Sequence, residues 1–173
     1  MIRVLITGMS GTGKSTLIGE LAKRGHRVLD ADNPDLAISE PRENGEWGWR
    51  VDRVRELLFA DTGSDLLFLS GCSEEQVALY SHFDHIVLLS APSDVIADRL
   101  ATRATNSYGK DRAELARVMG YIETVEPLLR ASADLEIVTT KPPEAVADEV
   151  LEHVWISGPR SARKSARSSE SDG

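Results

Sequence analysis

The chain has 173 residues, 41% of them hydrophobic, with 28 acidic against 20 basic side chains and a formal net charge of -8. That is enough apolar material for one compact domain and too much for wholesale disorder. The acidic balance argues against a general nucleic-acid binder, which needs a basic face. No apolar run reaches the ~18 residues of a membrane span, and no leader-like segment opens the chain. The single Cys72 can form no internal disulfide. A soluble cytoplasmic protein without membrane contact is expected.

In chain order, Ile2–Thr7 is a short apolar run that ends abruptly in glycines and reads as a buried strand. A helix over Lys14–Arg24 follows, with Leu17, Leu21 and Ala22 at helical spacing, and then a weaker strand over His26–Asp30. The stripe Trp47, Val51, Val54 and Leu58 predicts a helix starting at Trp47. Leu66–Leu69 and Ile86–Leu89 read as buried strands. Ser93 is the expected N-cap of a helix over Asp94–Thr105, with Asp94 in its first turn. Asp111–Ala131 is helical in pattern but must end or kink at Pro127. Leu135–Val138 is the last strand, and Pro143 opens a last helix over Glu144–Trp155. Strands alternating with helices predict an α/β fold, a parallel sheet covered on both faces with right-handed crossovers. From Ser157 onward nothing larger than Ala could join a core. Residues 157–173 therefore read as a disordered tail, locally basic with four Arg/Lys against two acids.

Gly8-Met9-Ser10-Gly11-Thr12-Gly13-Lys14-Ser15 fits G-x-x-x-x-G-K-[ST] at every fixed position, between a predicted strand and a predicted helix. Glycines let backbone N–H groups converge on phosphate oxygens, and the helix that follows aims its positive end at the same anion. Lys14 would reach the β- and γ-phosphates, and the Ser15 hydroxyl would ligate Mg²⁺. This pattern predicts binding of a nucleoside triphosphate.

Ile6-Thr7-Gly8 through Thr16, followed by Asp30-Ala31-Asp32 after the second strand, resembles the small P-loop kinases, the adenylate kinase and shikimate kinase group of P-loop NTPases. Over about residues 1–155 the resemblance implies a three-layer fold with a five-stranded parallel sheet. It also implies an acceptor cap over residues 33–60, a lid over 104–112 and a domain ending near residue 156. ATP would be the donor and Mg²⁺ the cofactor, with Gly8, Gly11, Thr12, Gly13, Lys14, Ser15 and Thr16 around the nucleotide.

Other P-loop classes fit less well. Leu66-Leu67-Phe68-Leu69 runs into Ser70-Gly71-Cys72 with no carboxylate at the strand end, and there is no Asn-Lys-x-Asp guanine motif. The acids follow the second strand instead. In an extended segment Asp30 and Asp32 would project to one side. By resemblance to shikimate kinases, Asp30 would support the metal and Asp32 would hold or deprotonate the acceptor hydroxyl. Asp30-Ala31-Asp32-Asn33-Pro34 is also good turn chemistry, which leaves a pair of loop-capping acids as the alternative.

Arg99 and Arg103, four apart on one expected helix, resemble the lid arginines of these kinases. Arg99 would serve the nucleotide base and Arg103 the phosphate charge, with a solvated, ion-paired helix face as the alternative. Pro142, in the Thr140-Lys141-Pro142-Pro143 segment, stands where the group cups adenine. In the cap, Trp49, Arg50 and Arg53, with Arg42, suggest a pocket for an anionic acceptor, with surface ion pairs as the bland reading and Gly45–Gly48 as a hinge. Cys72 reads as a small packing residue, His82 and His85 as structural, and Trp155 as packing on the last helix.

The expected function is ATP-dependent transfer of a γ-phosphoryl group from Mg-ATP to a hydroxyl or phosphate of a small, anionic metabolite. The alternative is a nucleotide-binding regulatory protein or simple NTPase without an acceptor. A polynucleotide-end kinase is disfavoured, because phosphate contacts along a strand would require a basic groove.

Overall fold

The computed structural model describes residues 1–43, 46–104 and 108–157. Its apolar runs become the strands of one parallel sheet: β1 (Ile2–Thr7), β2 (Arg27–Asp30), β5 (Leu66–Ser70), β6 (His85–Ser90) and β7 (Leu135–Val138), in the order β2-β5-β1-β6-β7. β3 (Ser39–Pro41) and β4 (Trp47–Trp49) form a separate antiparallel hairpin. The helices are α1 (Lys14–Lys23), α2 (Val51–Phe59), α3 (Gln76–Leu79), α4 (Ser93–Thr102), α5 (Arg112–Thr124), α6 (Glu126–Ser132) and α7 (Pro143–Ser157). The expected five-stranded α/β architecture is the one observed.

Alternation along the strands divides the core, because successive side chains leave opposite faces of a sheet. Val4, Ile6, Phe68, Val87 and Leu89 meet Leu17, Leu21, Val146 and Val150 from α1 and α7. Leu5, Leu67, Leu69 and Ile86 face the other way, onto Val54 and Leu58 of α2 and onto Leu79. α4 and α5 pack together through Ile96, Leu100 and Val118.

Three sequence expectations change, and one on Pro127 holds. Trp47 does not start a helix: Trp47–Trp49 pairs with Ser39–Pro41, and the helix begins at Val51 after Arg50, whose φ/ψ is extended. Pro92 takes the N-cap place, so Ser93 is helical, and α4 stops at Thr102 with Arg103 already extended. The break expected at Pro127 is present: 111–131 forms two helices, parted at Val125 with Pro127 in the first turn of the second, where its missing N–H costs nothing. Trp155 is 62% exposed and does not pack on α7. Of the expected tail, Ser157 closes α7 and residues 158–173 lie outside the described residues. So do Gly45 of the expected hinge and residues 105–107 of the expected lid. No helix among the described residues is long and apolar enough to cross a membrane.

Candidate active site

β1 lies between β5 and β6, so the crevice beyond the strand ends at this switch of direction is where an open α/β sheet binds ligands. Residues 8–15 occupy it. A Cβ on Gly8 (φ +146) would lie 2.3 Å from the Leu89 carbonyl oxygen and 2.9 Å from Thr12 Oγ1, so only glycine lets the loop rest against β6. Gly13 closes the loop in the left-handed region and caps α1. Inside the loop, the buried Thr12 hydroxyl donates to the Met9 carbonyl at 2.8 Å. Lys14 Nζ donates to the carbonyls of Gly8 (2.6 Å) and Met9 (3.0 Å), leaving one of its three donor directions for a ligand. Burial pushes the Lys14 ammonium below the usual lysine range, while Cys72, Asp32 and Asp30 favour its charged form.

The loop is braced from behind. The Thr139 hydroxyl, just past β7, donates to the Thr12 carbonyl at 2.8 Å and accepts from Arg99 Nη1 at 2.9 Å. Arg99 also donates to the carbonyls of Gly11 (3.4 Å) and Thr139 (2.5 Å). Arg103 Nη2 donates to the Tyr108 carbonyl and to Ser10 Oγ at 3.4 Å. Burial lowers the Arg103 pKa from its usual value, and Asp32 and Glu114 oppose that.

Two cavities open on this loop. One, of about 440 Å³, is lined by Gly11, Gly13, Ser15, Thr16, Arg99, Arg103, Thr139, Lys141 and Pro143 among others. The second, of about 1390 Å³, runs under the β3–β4 hairpin to α5 and α6. Ser10, Lys14 and Asp32 line both. The larger cavity carries Lys14, Arg42, Arg50 and Arg117 against Asp32, Glu40, Glu46 and Glu74, so its charged lining balances. Arg42 is held by Glu75 and, at 3.5 Å, by Glu74, and Arg50 lies 3.6 Å from Glu40.

Most expected site residues meet here, with corrections. Asp30 and Asp32 do not stand side by side on an extended segment: the chain turns, with Asn33 N–H donating to the Asp30 carbonyl (3.0 Å) and Asp32 N–H to Asp30 Oδ1 (3.1 Å). Asp32 is exposed and lines both cavities; Asp30 lines neither. Partial burial raises the Asp30 pKa, with the Asp32 N–H and Lys14 opposing it. Trp49 is 6% exposed and belongs to the core beside Ala31 and Val54, so it is Trp47 that faces the larger cavity. Arg53 lies outside that cavity, donating to the Leu36 carbonyl (3.0 Å) and to Glu56 (2.8 Å), whereas Arg50 lines it. Pro142 lines neither cavity; its carbonyl accepts from Ala145 and Val146 at the start of α7. Cys72 is exposed on the larger cavity instead of packed. His85 is buried against the ring of His153, and no cluster of metal-ligating side chains exists among the described residues.

Sequence reading missed Thr139 and Gln76. Thr139 follows an apolar strand and resembles any strand-end threonine. Gln76 is 1% exposed; its Oε1 accepts from Thr7 Oγ1 (3.1 Å), and its Nε2 donates to the Tyr80 hydroxyl (3.0 Å). Only the fold brings Gln76 to the end of β1.

A family model described as an AAA domain matches residues 4–120, and the chain belongs to that family. It is 34% identical over 87 residues to HPr kinase/phosphorylase of Clostridium botulinum (strain Eklund 17B / Type B), an alignment covering 49% of this chain; the chain spans 29% of the length of that curated relative. Among solved structures, it superposes on shikimate kinase from Acinetobacter baumannii in complex with shikimate, with TM-score 0.67 and 18% identity, over 90% of this chain and 93% of that one. A gluconokinase from Sinorhizobium meliloti 1021 gives TM-score 0.62 and 18% identity, over 87% and 90%. The fold is therefore the one seen in these solved kinases, as the sequence resemblance implied.

Proposed function

We propose that this chain transfers the γ-phosphoryl group of Mg-ATP to a hydroxyl of a small-molecule acceptor. One observation carries the reading: two cavities, one on the phosphate loop and one under the hairpin, share Ser10, Lys14 and Asp32 as a common wall. In-line transfer needs a donor and an acceptor approaching one phosphorus from opposite sides. A regulatory protein or plain NTPase would have no use for the second cavity.

On this reading the smaller cavity takes ATP, with the glycines of residues 8–13 and the start of α1 around its phosphates, and Lys141 and Pro143 toward the base. Segment 33–60 is the acceptor cap and 104–112 the lid. The acceptor oxygen bonds to the γ-phosphorus as the bond from that phosphorus to the bridging oxygen breaks, ADP leaves, and Asp32 takes the hydroxyl proton. Lys14 and Arg103 hold the phosphoryl charge. Ser15 offers an exposed hydroxyl on the donor cavity, the hard oxygen that Mg²⁺ takes; bound there, Mg²⁺ would neutralise phosphate charge. Asp30 acts through the turn, fixing Asp32 by accepting its N–H. An ATP requirement and a single cysteine suit the cytoplasm.

The test is ADP release from Mg-ATP, alone and with pooled alcohols and acids, beside Lys14→Ala. Release that depends on one pool and is lost in the variant supports a kinase. Lys14-dependent release that no pool stimulates would refute it.

A further inference from the structure

We propose that the acceptor is an uncharged alcohol with a planar aromatic body. The inference rests on the kinase reading and names the substrate class of its acceptor cavity. Size is the first argument. At about 1390 Å³ the cavity exceeds the ~300–1,000 Å³ typical of small-molecule sites, so a compact sugar acid would leave most of it to water.

Its surface chemistry is the second. Trp47, Val77 and Leu128 are 68%, 65% and 68% exposed, and all three line this cavity, from the hairpin, α3 and α6. Large apolar side chains left in water around one opening mark a surface built to be covered. Tyr121 adds an aromatic face to the same lining.

Charge is the third. Two of the four cations that would attract a carboxylate are answered by ion pairs within the protein: Arg42 by Glu74 and Glu75, Arg50 by Glu40. Tyr121 donates its hydroxyl to Glu46 Oε1 at 3.4 Å, and the four cations of the lining, Arg117 among them, face four carboxylates. At Arg42 or Arg50 an anionic acceptor would have to displace a carboxylate from its arginine and then lie beside it.

Tyr80, on the same lining, offers an alcohol a polar contact. The Tyr80 oxygen accepts from Gln76 Nε2, and Gln76 Oε1 is taken by Thr7 Oγ1, so the phenolic proton is left to donate to an acceptor oxygen. Trp47 and Leu128 then cover the ring, and the reacting hydroxyl sits at the shared wall by Asp32. Its proton goes to Asp32 as the new oxygen–phosphorus bond forms.

The experiment uses the full chain with Mg-ATP and five probes: adenosine and thymidine as nucleosides, cinnamyl alcohol as an aryl alcohol, and shikimate and gluconate as small acids. ADP release and tryptophan fluorescence quenching are both read. At least one aromatic alcohol should stimulate release by about tenfold or more, and the nucleoside and aryl arms separate the two sources of that chemistry. Trp47→Ala should raise KM for it about tenfold, the loss expected for a stacking aromatic, with kcat little changed. Trp47→Phe should recover most of the affinity, and Trp155→Ala, on the exposed end of α7, should change neither. Preferential phosphorylation of shikimate or gluconate would overturn the inference and leave the kinase reading standing. Quenching by aromatic alcohols with no transfer to any probe would instead refute the kinase reading while the aromatic site stood. Neither quenching nor stimulation by any aromatic alcohol overturns the inference outright.

Discussion

Thr139→Val replaces one buried hydroxyl with a methyl group of nearly the same size, and so isolates what braces the phosphate loop. The hydroxyl donates to the Thr12 carbonyl at 2.8 Å and accepts from the Arg99 guanidinium at 2.9 Å, in a residue 6% exposed. A neutral buried hydrogen bond contributes about 1 kcal/mol and a charged one about 1.5–3 kcal/mol. Arg99 is only half-buried, so the low end applies to it, and the variant should lose about 2.5 kcal/mol, or about 5–10 °C in Tm. Thr139→Ser keeps the hydroxyl and removes a methyl, which costs about 1 kcal/mol. Urea unfolding at constant slope gives both numbers. Because Thr12 and Gly11 sit in the loop, the valine variant should also raise KM for ATP more than KM for the acceptor. A valine variant within about 0.5 kcal/mol of the parent, a shift smaller than one neutral hydrogen bond, or a serine variant less stable than the valine one, would refute the bracing argument.

Asp32→Asn should lower kcat about 10²–10⁴-fold, the usual contribution of a positioned base, with ATP affinity nearly unchanged by calorimetry; near-normal turnover would remove Asp32 from the chemistry. Gly71→Ala would place a Cβ 2.6 Å from Trp49 Cζ2 and 2.8 Å from Ala31 Cβ. It should cost about 1–3 kcal/mol by overpacking and alter the near-ultraviolet dichroism of Trp49, and an unchanged spectrum and melt would contradict the packing. Glu136 is held below the usual carboxylate range by its hydrogen bonds from Arg130, with help from Ser90 and against partial burial. A depressed folded pKa contributes stability above the unfolded value, about 4.3, and that contribution fades as pH falls through the folded value. Glu136→Gln should therefore be less stable than the parent at pH 7, and the gap should close below about pH 4; a gap constant with pH would exclude the linkage.

The sheet was legible because each strand is an apolar run with a sharp end, and the phosphate loop because its glycines and Lys14-Ser15 stand at fixed spacing. The cap was not. Trp47 falls four residues before Val51, so helical spacing extends back to it, but pairing with Ser39–Pro41 decides the backbone there, and pairing partners leave no local mark. Reversing that segment moved Trp49 into the core and Trp47 to the cavity. Asp30 and Asp32 fail differently. The turn signal of Asp-Asn-Pro was present, and it won over the extended reading because the Asp30 carboxylate accepts the Asp32 N–H. Arg103 leaves α4 without a Gly or Pro to announce the helix end, yet its side chain still reaches Ser10.

The wall that Ser10, Lys14 and Asp32 give to both cavities makes the two halves of the site adjacent in the sense a linker measures. A nucleotide joined through a short phosphate chain to an aromatic alcohol could cross at these residues and occupy both sides at once. Its second half would then meet the protein at an effective concentration in the millimolar range, with avidity about 10²–10⁴-fold above either half alone. Each additional phosphate would lengthen the span past Lys14, so a series of such compounds would act as a ruler for the distance between the two bound groups.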